Sequence, residues 1–136
     1  MAFTYKIIPR PKVLHVLVEG DFELEEAKRH FLKIISALEE HGGKKVLFDG
    51  RGIDGDPAVV ERFYYGDFVA EVVKQFRVRT DADENPPFAY VLFEPVLDPL
   101  RLGETVAINR GMNVKSFESI PAALAWLELT PEDLAD

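Results

Sequence analysis

The sequence predicts a mixed α/β domain in which an opening β-hairpin is followed by strands and helices in alternation. Three observations carry that expectation. Short β-branched runs alternate with longer stretches of helical apolar spacing. Two Asp-Pro pairs, Asp56-Pro57 and Asp98-Pro99, have the form of helix starts, with aspartate as N-cap and proline at the first helical position. Val46-Leu47-Phe48 is an unbroken apolar run, as expected of a central strand buried on both faces. The order reads β-β-α-β-α-β-α-β-α, which implies a mixed sheet covered by helices.

Residues 4–8 and 13–19 are rich in β-branched side chains, and Pro9-Arg10-Pro11-Lys12 separates them as a hairpin turn. In the second strand, Leu14, Val16 and Val18 share one face. Gly20-Asp21 ends that strand, with Asp21 as the cap of the first helix and Glu23, Glu25 and Glu26 in its first turn. Ala27, Phe31, Ile34, Ile35 and Leu38 form one apolar stripe, and Gly42-Gly43 stops the helix. The central strand ends at Asp49 and enters a glycine-rich loop over residues 49–56. The second helix opens at Asp56-Pro57 and runs to about Phe76 with a wide apolar arc. Residues 80–87 read as a loop and 88–93 as a strand. A third helix spans residues 98–110 and stops at Gly111; a short strand covers 114–117. Ser119 caps a final helix, and Thr130-Pro131 begins one last turn.

A chain of 136 residues fits one domain over residues 1–136, and it can bury a core without disulfides or metals. It contains no cysteine, which excludes a disulfide scaffold, a thiolate metal site and cysteine catalysis. The net charge is -8 and the basic residues are scattered, so neither a nucleic acid nor an anionic membrane is an expected partner. No signal-peptide pattern opens the sequence, and no apolar run approaches the ~20 residues of a membrane span. The expectation is a cytoplasmic, soluble protein.

Three passages carry a family resemblance. They are Lys45-Val46-Leu47-Phe48-Asp49-Gly50-Arg51-Gly52, Glu61-Arg62-Phe63-Tyr64-Tyr65-Gly66, and Gly103-Glu104-Thr105-Val106-Ala107-Ile108-Asn109-Arg110-Gly111. With Phe117 and Ala123-Leu124-Ala125-Trp126-Leu127 they cover nearly the whole chain. In order and spacing the chain resembles the STAS-like domains, the fold of bacterial anti-sigma-factor antagonists. Within that fold it looks more like a group of small stand-alone bacterial proteins. The resemblance implies a STAS-like sheet and a regulatory or binding role. In the antagonists, a serine at the start of the helix after the central strand is phosphorylated. The matching stretch here, Ile53-Asp54-Gly55-Asp56-Pro57, has no hydroxyl residue, so that switch is absent.

Gly50-Arg51-Gly52-Ile53-Asp54-Gly55 matches G-x-G-x-x-G between a predicted strand and a predicted helix. Asp54 and Asp56 would oppose a pyrophosphate there, and no acidic residue closes a strand about 20 residues on. Asp49, Asp54 and Asp56 offer hard oxygen ligands, but Arg51 and Ile53 fall where further ligands are needed. No metal and no cofactor is expected. His15, His30 and His41 form no metal or catalytic spacing. Asn109 and Arg110 read as the last turn of the third helix before its glycine stop.

The second helix is the more informative element. One face of it buries about half of Phe63, Tyr64, Tyr65 and Phe68, and the rest must meet solvent, a ligand or another chain. Glu61 and Arg62 flank this patch as polar anchors. The expected function is a non-enzymatic binding or regulatory module, homodimeric, acting on a protein partner through the second helix. The alternative is a carrier of a small apolar or anionic ligand, such as a lipid or nucleotide; lipid-transfer domains have been grouped near the resembled fold. A third reading is an acid–base enzyme using Asp54 or Asp56, which requires one of them in a pocket.

Overall fold

The opening hairpin sets the sheet. In the computed structural model, which describes residues 3–42, 44–81, 85–98 and 100–135, β1 (Thr4–Pro9) pairs antiparallel with β2 (Leu14–Asp21). The chain then runs through α1 (Leu24–Glu40), β3 (Val46–Asp54), α2 (Val59–Thr80) and β4 (Phe88–Val91). It continues with α3 (Leu102–Asn109), β5 (Val114–Phe117), α4 (Ile120–Leu127) and a 3-10 turn at Pro131–Leu134. The described residues form a mixed α/β unit with one five-stranded sheet in the order β1-β2-β3-β4-β5. The pairs β2–β3, β3–β4 and β4–β5 are parallel.

Three successive crossovers step across the sheet in one direction. Right-handed crossovers that all step the same way put their helices on the same face. Accordingly Leu14, Val16 and Val18 of β2 share a core with Phe31 and Ile34 of α1, Val69 and Val73 of α2, and Ala107 of α3. The helix that follows the last strand takes the other face. There Leu47, Ala89 and Val91 pack against Ala123, Leu124 and Leu127 of α4. β3 therefore buries Val46, Leu47 and Phe48 on both sides, each at most 5% exposed.

The expected stripe of α1 is buried throughout, and α1 ends at Glu40 with Gly42 at φ 99. Gly43 lies outside the described residues. The cap differs from expectation. Asp21 belongs to β2, and Glu23 caps α1 by accepting from the backbone N–H groups of Glu25 (2.8 Å) and Glu26 (3.2 Å).

The glycine-rich stretch is strand as far as Asp54, and only Gly55 and Asp56 remain outside it. β3 runs straight through Gly50-Arg51-Gly52 to Asp54, because Glu19, Gly20 and Asp21 of β2 pair with Gly52, Ile53 and Asp54. A register shift between Leu17 and Glu19 makes this second pairing segment possible. Gly50 is there for packing. A Cβ on it would come within 2.9 Å of Leu92, Phe48 and Ile53.

Both Asp-Pro starts also shift. α2 begins at Val59 with Ala58 as N-cap, and it extends to Thr80, where the left-handed Asp81 closes it. Asp56 and Pro57 precede the helix. α3 begins at Leu102, not near residue 98. The Asp98 carboxylate still accepts from the N–H groups of Leu100 (3.1 Å) and Leu102 (2.9 Å), but Arg101 intervenes at φ 55 and delays the helix. Pro99 and residues 82–84 of the expected loop lie outside the described residues. β4 ends at Val91, two residues early, and Phe93 is half exposed.

Candidate functional site

A cavity of about 120 Å³ lies where α1, α2 and α3 cover the sheet. Phe3, Phe22, Phe48, Ile53, Val69 and Leu92 supply much of its apolar lining. Its roof depends on two glycines. A Cβ on Gly66 of α2 would collide with the Gly103 carbonyl of α3, and one on Gly103 would sit 3.2 Å from the Arg62 carbonyl oxygen. The two helix backbones therefore touch directly, and Tyr65, next to Gly66, turns toward the sheet.

Inside, the Tyr65 and Tyr90 hydroxyls share a hydrogen bond of 2.8 Å. Burial holds both hydroxyls well above their ordinary pKa, so both are neutral. The Tyr90 ring stacks on Phe48 with centroids 4.4 Å apart. Phe48 in turn meets the edge of His30 at 6.1 Å. His30 is 4% exposed, ringed by Phe3, Tyr5 and Phe48. Its Nε2 has no hydrogen-bond partner among the described residues. Burial, helped by Lys33 and opposed by Glu26, lowers its pKa to about 4.

The charged groups on the same lining are already engaged. Arg62 donates to the carbonyls of Pro57 (3.0 Å), Val96 (2.9 Å) and Pro95 (2.6 Å) and meets Asp56 at 3.3 Å. Arg101 donates to the Ser116 carbonyl (2.6 Å), and Glu104 accepts from the Ser116 N–H (2.5 Å). Of the residues singled out by sequence, Arg62 and Tyr65 thus belong to the cavity.

The others scatter. Glu61 caps α2 through the Ala58 N–H (2.8 Å). Tyr64 is 52% exposed and lies edge-on to Phe63; Val59 and Val60 are exposed beside them. Arg110 pairs with Asp67 and lies over the Phe63 ring at 5.4 Å, while Asn109 is exposed at the end of α3. Phe68 is half-buried under Lys28. Asp49 and Arg51 sit on the opposite face of the sheet, in an open groove with Leu17 and Phe93. Arg51 grips Asp49 through Nε (2.9 Å) and Nη2 (2.8 Å). Burial alone would raise the Asp49 pKa; hydrogen bonds from Arg51 overcome it and hold the carboxyl below its ordinary value.

Asp54 and Asp56 are exposed, so neither carboxylate has the pocket that an acid–base role requires. Among the described residues, no three His, Asp or Glu side chains are placed to share a metal ion. No helix among them is long and apolar enough to cross a membrane.

Sequence reasoning missed His30, Tyr90 and the Arg101–Glu104 pair. For His30 a signal existed. It stands three residues after Ala27 and four before Ile34, squarely on the buried stripe of α1. Tyr90 gave no such signal, since a tyrosine in a short apolar strand is ordinary core. No protein-family model matches the chain, and no curated protein matches it.

Proposed function

We propose that the chain is a non-enzymatic binding module of STAS-like fold that docks a protein on the first two turns of α2, a second copy of itself first among partners. One observation carries this. Val59, Val60, Phe63 and Tyr64 form a continuous outward stripe, 72, 51, 38 and 52% exposed. Residues at i, i+1, i+4 and i+5 share a helix face, and a run of four large apolar side chains there marks an interaction surface. Both signs of charge rim it, with Glu61 and Asp67 on α2 and Arg110 from α3. A patch rimmed by both signs of charge can pair with its own copy across a two-fold axis, the commonest symmetry of soluble oligomers.

Light scattering across a concentration series tests it. The expected result is a dimer that Tyr64→Lys converts to a folded monomer. A monomer at every concentration, or a Tyr64→Lys dimer, removes the proposal. A second reading, carriage of a small ligand, is favoured by the cavity beneath the same helix.

A further inference from the structure

We propose that the cavity under α2 and α3 binds an uncharged, single-ring molecule bearing a hydrogen-bond acceptor, recognised by the Tyr65–Tyr90 hydroxyl pair. This deepens the ligand-carriage reading and rests on it; it is independent of docking at the outer face of α2.

Size sets the first bound. An engineered apolar cavity of about 150 Å³ accepts one benzene. At about 120 Å³ this cavity suits one small ring, and it does not suit an acyl chain or a nucleotide.

Hydrogen-bond inventory sets the second. Two tyrosine hydroxyls carry two protons. Their mutual bond of 2.8 Å uses one. Among the described residues the other proton has no acceptor, and His30 Nε2 also lacks a partner. Buried polar groups in native structures rarely stay unmatched. Tyr65, Tyr90 and His30 all contribute to the lining of one cavity, joined through Phe48, which contacts the Tyr90 and His30 rings. A ring with an oxygen substituent would accept the spare tyrosine proton.

Charge sets the third. Arg62 and Arg101 line the cavity, but their guanidinium groups are held by backbone carbonyls of Pro57, Pro95, Val96 and Ser116. Glu104 stands 3.6 Å from Arg101. An anion at Arg62 would have to break these bonds, and one at Arg101 would have to compete with Glu104, in surroundings that disfavour charge.

Phenol, toluene and benzoate make the test, titrated into the full chain and followed by amide NMR. Phenol and toluene share a shape and differ by the hydroxyl. A purely apolar void favours toluene, because phenol gives up more hydration. The expected result is the reverse, with phenol bound roughly five-fold more tightly, shifts centred on His30, Phe48, Tyr65 and Tyr90, and no benzoate binding. Tyr90→Phe should restore the apolar order, with its spectrum reporting an intact fold; Tyr65→Phe serves if that variant does not fold. Toluene binding as tightly as phenol overturns the recognition by hydroxyls while leaving carriage standing. Benzoate binding best overturns the uncharged ligand. Shifts from none of the three overturn both this proposal and the carriage reading.

Discussion

His30 occupies a core position on α1 with a side chain that can take up a proton, and that has a consequence for acid stability. Its pKa in the fold is about 4, against an ordinary value near 6.5. Below about pH 6.5 the unfolded chain binds a proton at this residue that the folded chain refuses. The fold therefore has its full stability from this group above that pH and loses it as the pH falls toward 4. The loss is on the order of 2–3 kcal/mol by pH 4. His30→Phe keeps an aromatic ring in the same packing and removes the proton site. Urea midpoints measured between pH 7 and 4.5 should fall for the parent and stay flatter for His30→Phe. Equal slopes would contradict the assignment. Asp49 does not blur this window: its carboxyl is held below the ordinary value, so its contribution disappears only at lower pH.

At the scale of elements, the contact between α2 and α3 is the one most sensitive to a single atom. Gly66 has no room for a methyl group against the Gly103 carbonyl. Gly66→Ala gains helix propensity but must push the two backbones apart. The expected net cost is about 1–3 kcal/mol, measured by chemical denaturation. Gly103→Ala meets a milder approach, 3.2 Å to the Arg62 carbonyl oxygen, and should cost less. A neutral Gly66→Ala would show that the helices separate freely.

The mixed α/β class, the buried stripe of α1 and the Ser119 cap of α4 were legible because each depends on local spacing. Ser119 accepts from the Ala122 N–H as its position before the helix implies. The path of residues 50–54 was not legible. Three glycines and two aspartates between 49 and 55 have turn composition, yet pairing with Glu19–Asp21 straightens the stretch as far as Asp54 into β3 and leaves only Gly55 to turn. Non-local pairing overrode local preference. The helix starts moved for a related reason. Arg62 reaches back to the Pro57 carbonyl and across to Pro95 and Val96, which holds the entry to α2 in an extended form. The cavity was half legible. Tyr65 and Arg62 stood out by sequence, while Tyr90, which bonds Tyr65, and His30, on the same lining, came from other elements that only the fold brings near.

On the scale of the whole molecule, the sheet separates two unequal layers. Three helices cover one face and enclose the cavity; α4, with Leu129 and Leu134 after it, covers part of the other. The groove with the Asp49–Arg51 pair occupies an uncovered part of that second face. Docking at the outer side of α2 and filling of the space beneath it would both act on the three-helix layer. The two events should then be coupled, with phenol altering the dimer dissociation constant measured by light scattering. An unchanged constant under saturating phenol would separate them.

The same division decides what light can report. Trp126 is the chain's one tryptophan, and it packs against Phe117 at 5.8 Å in the α4 layer, across the sheet from the cavity. Tryptophan emission is thus a gauge of the α4 layer alone. A quenching screen would pass over every compound that enters beneath α2, whereas melting of α4 would register at once. Moving the fluorophore, with Phe63→Trp for docking, would put a reporter on the layer where binding is expected.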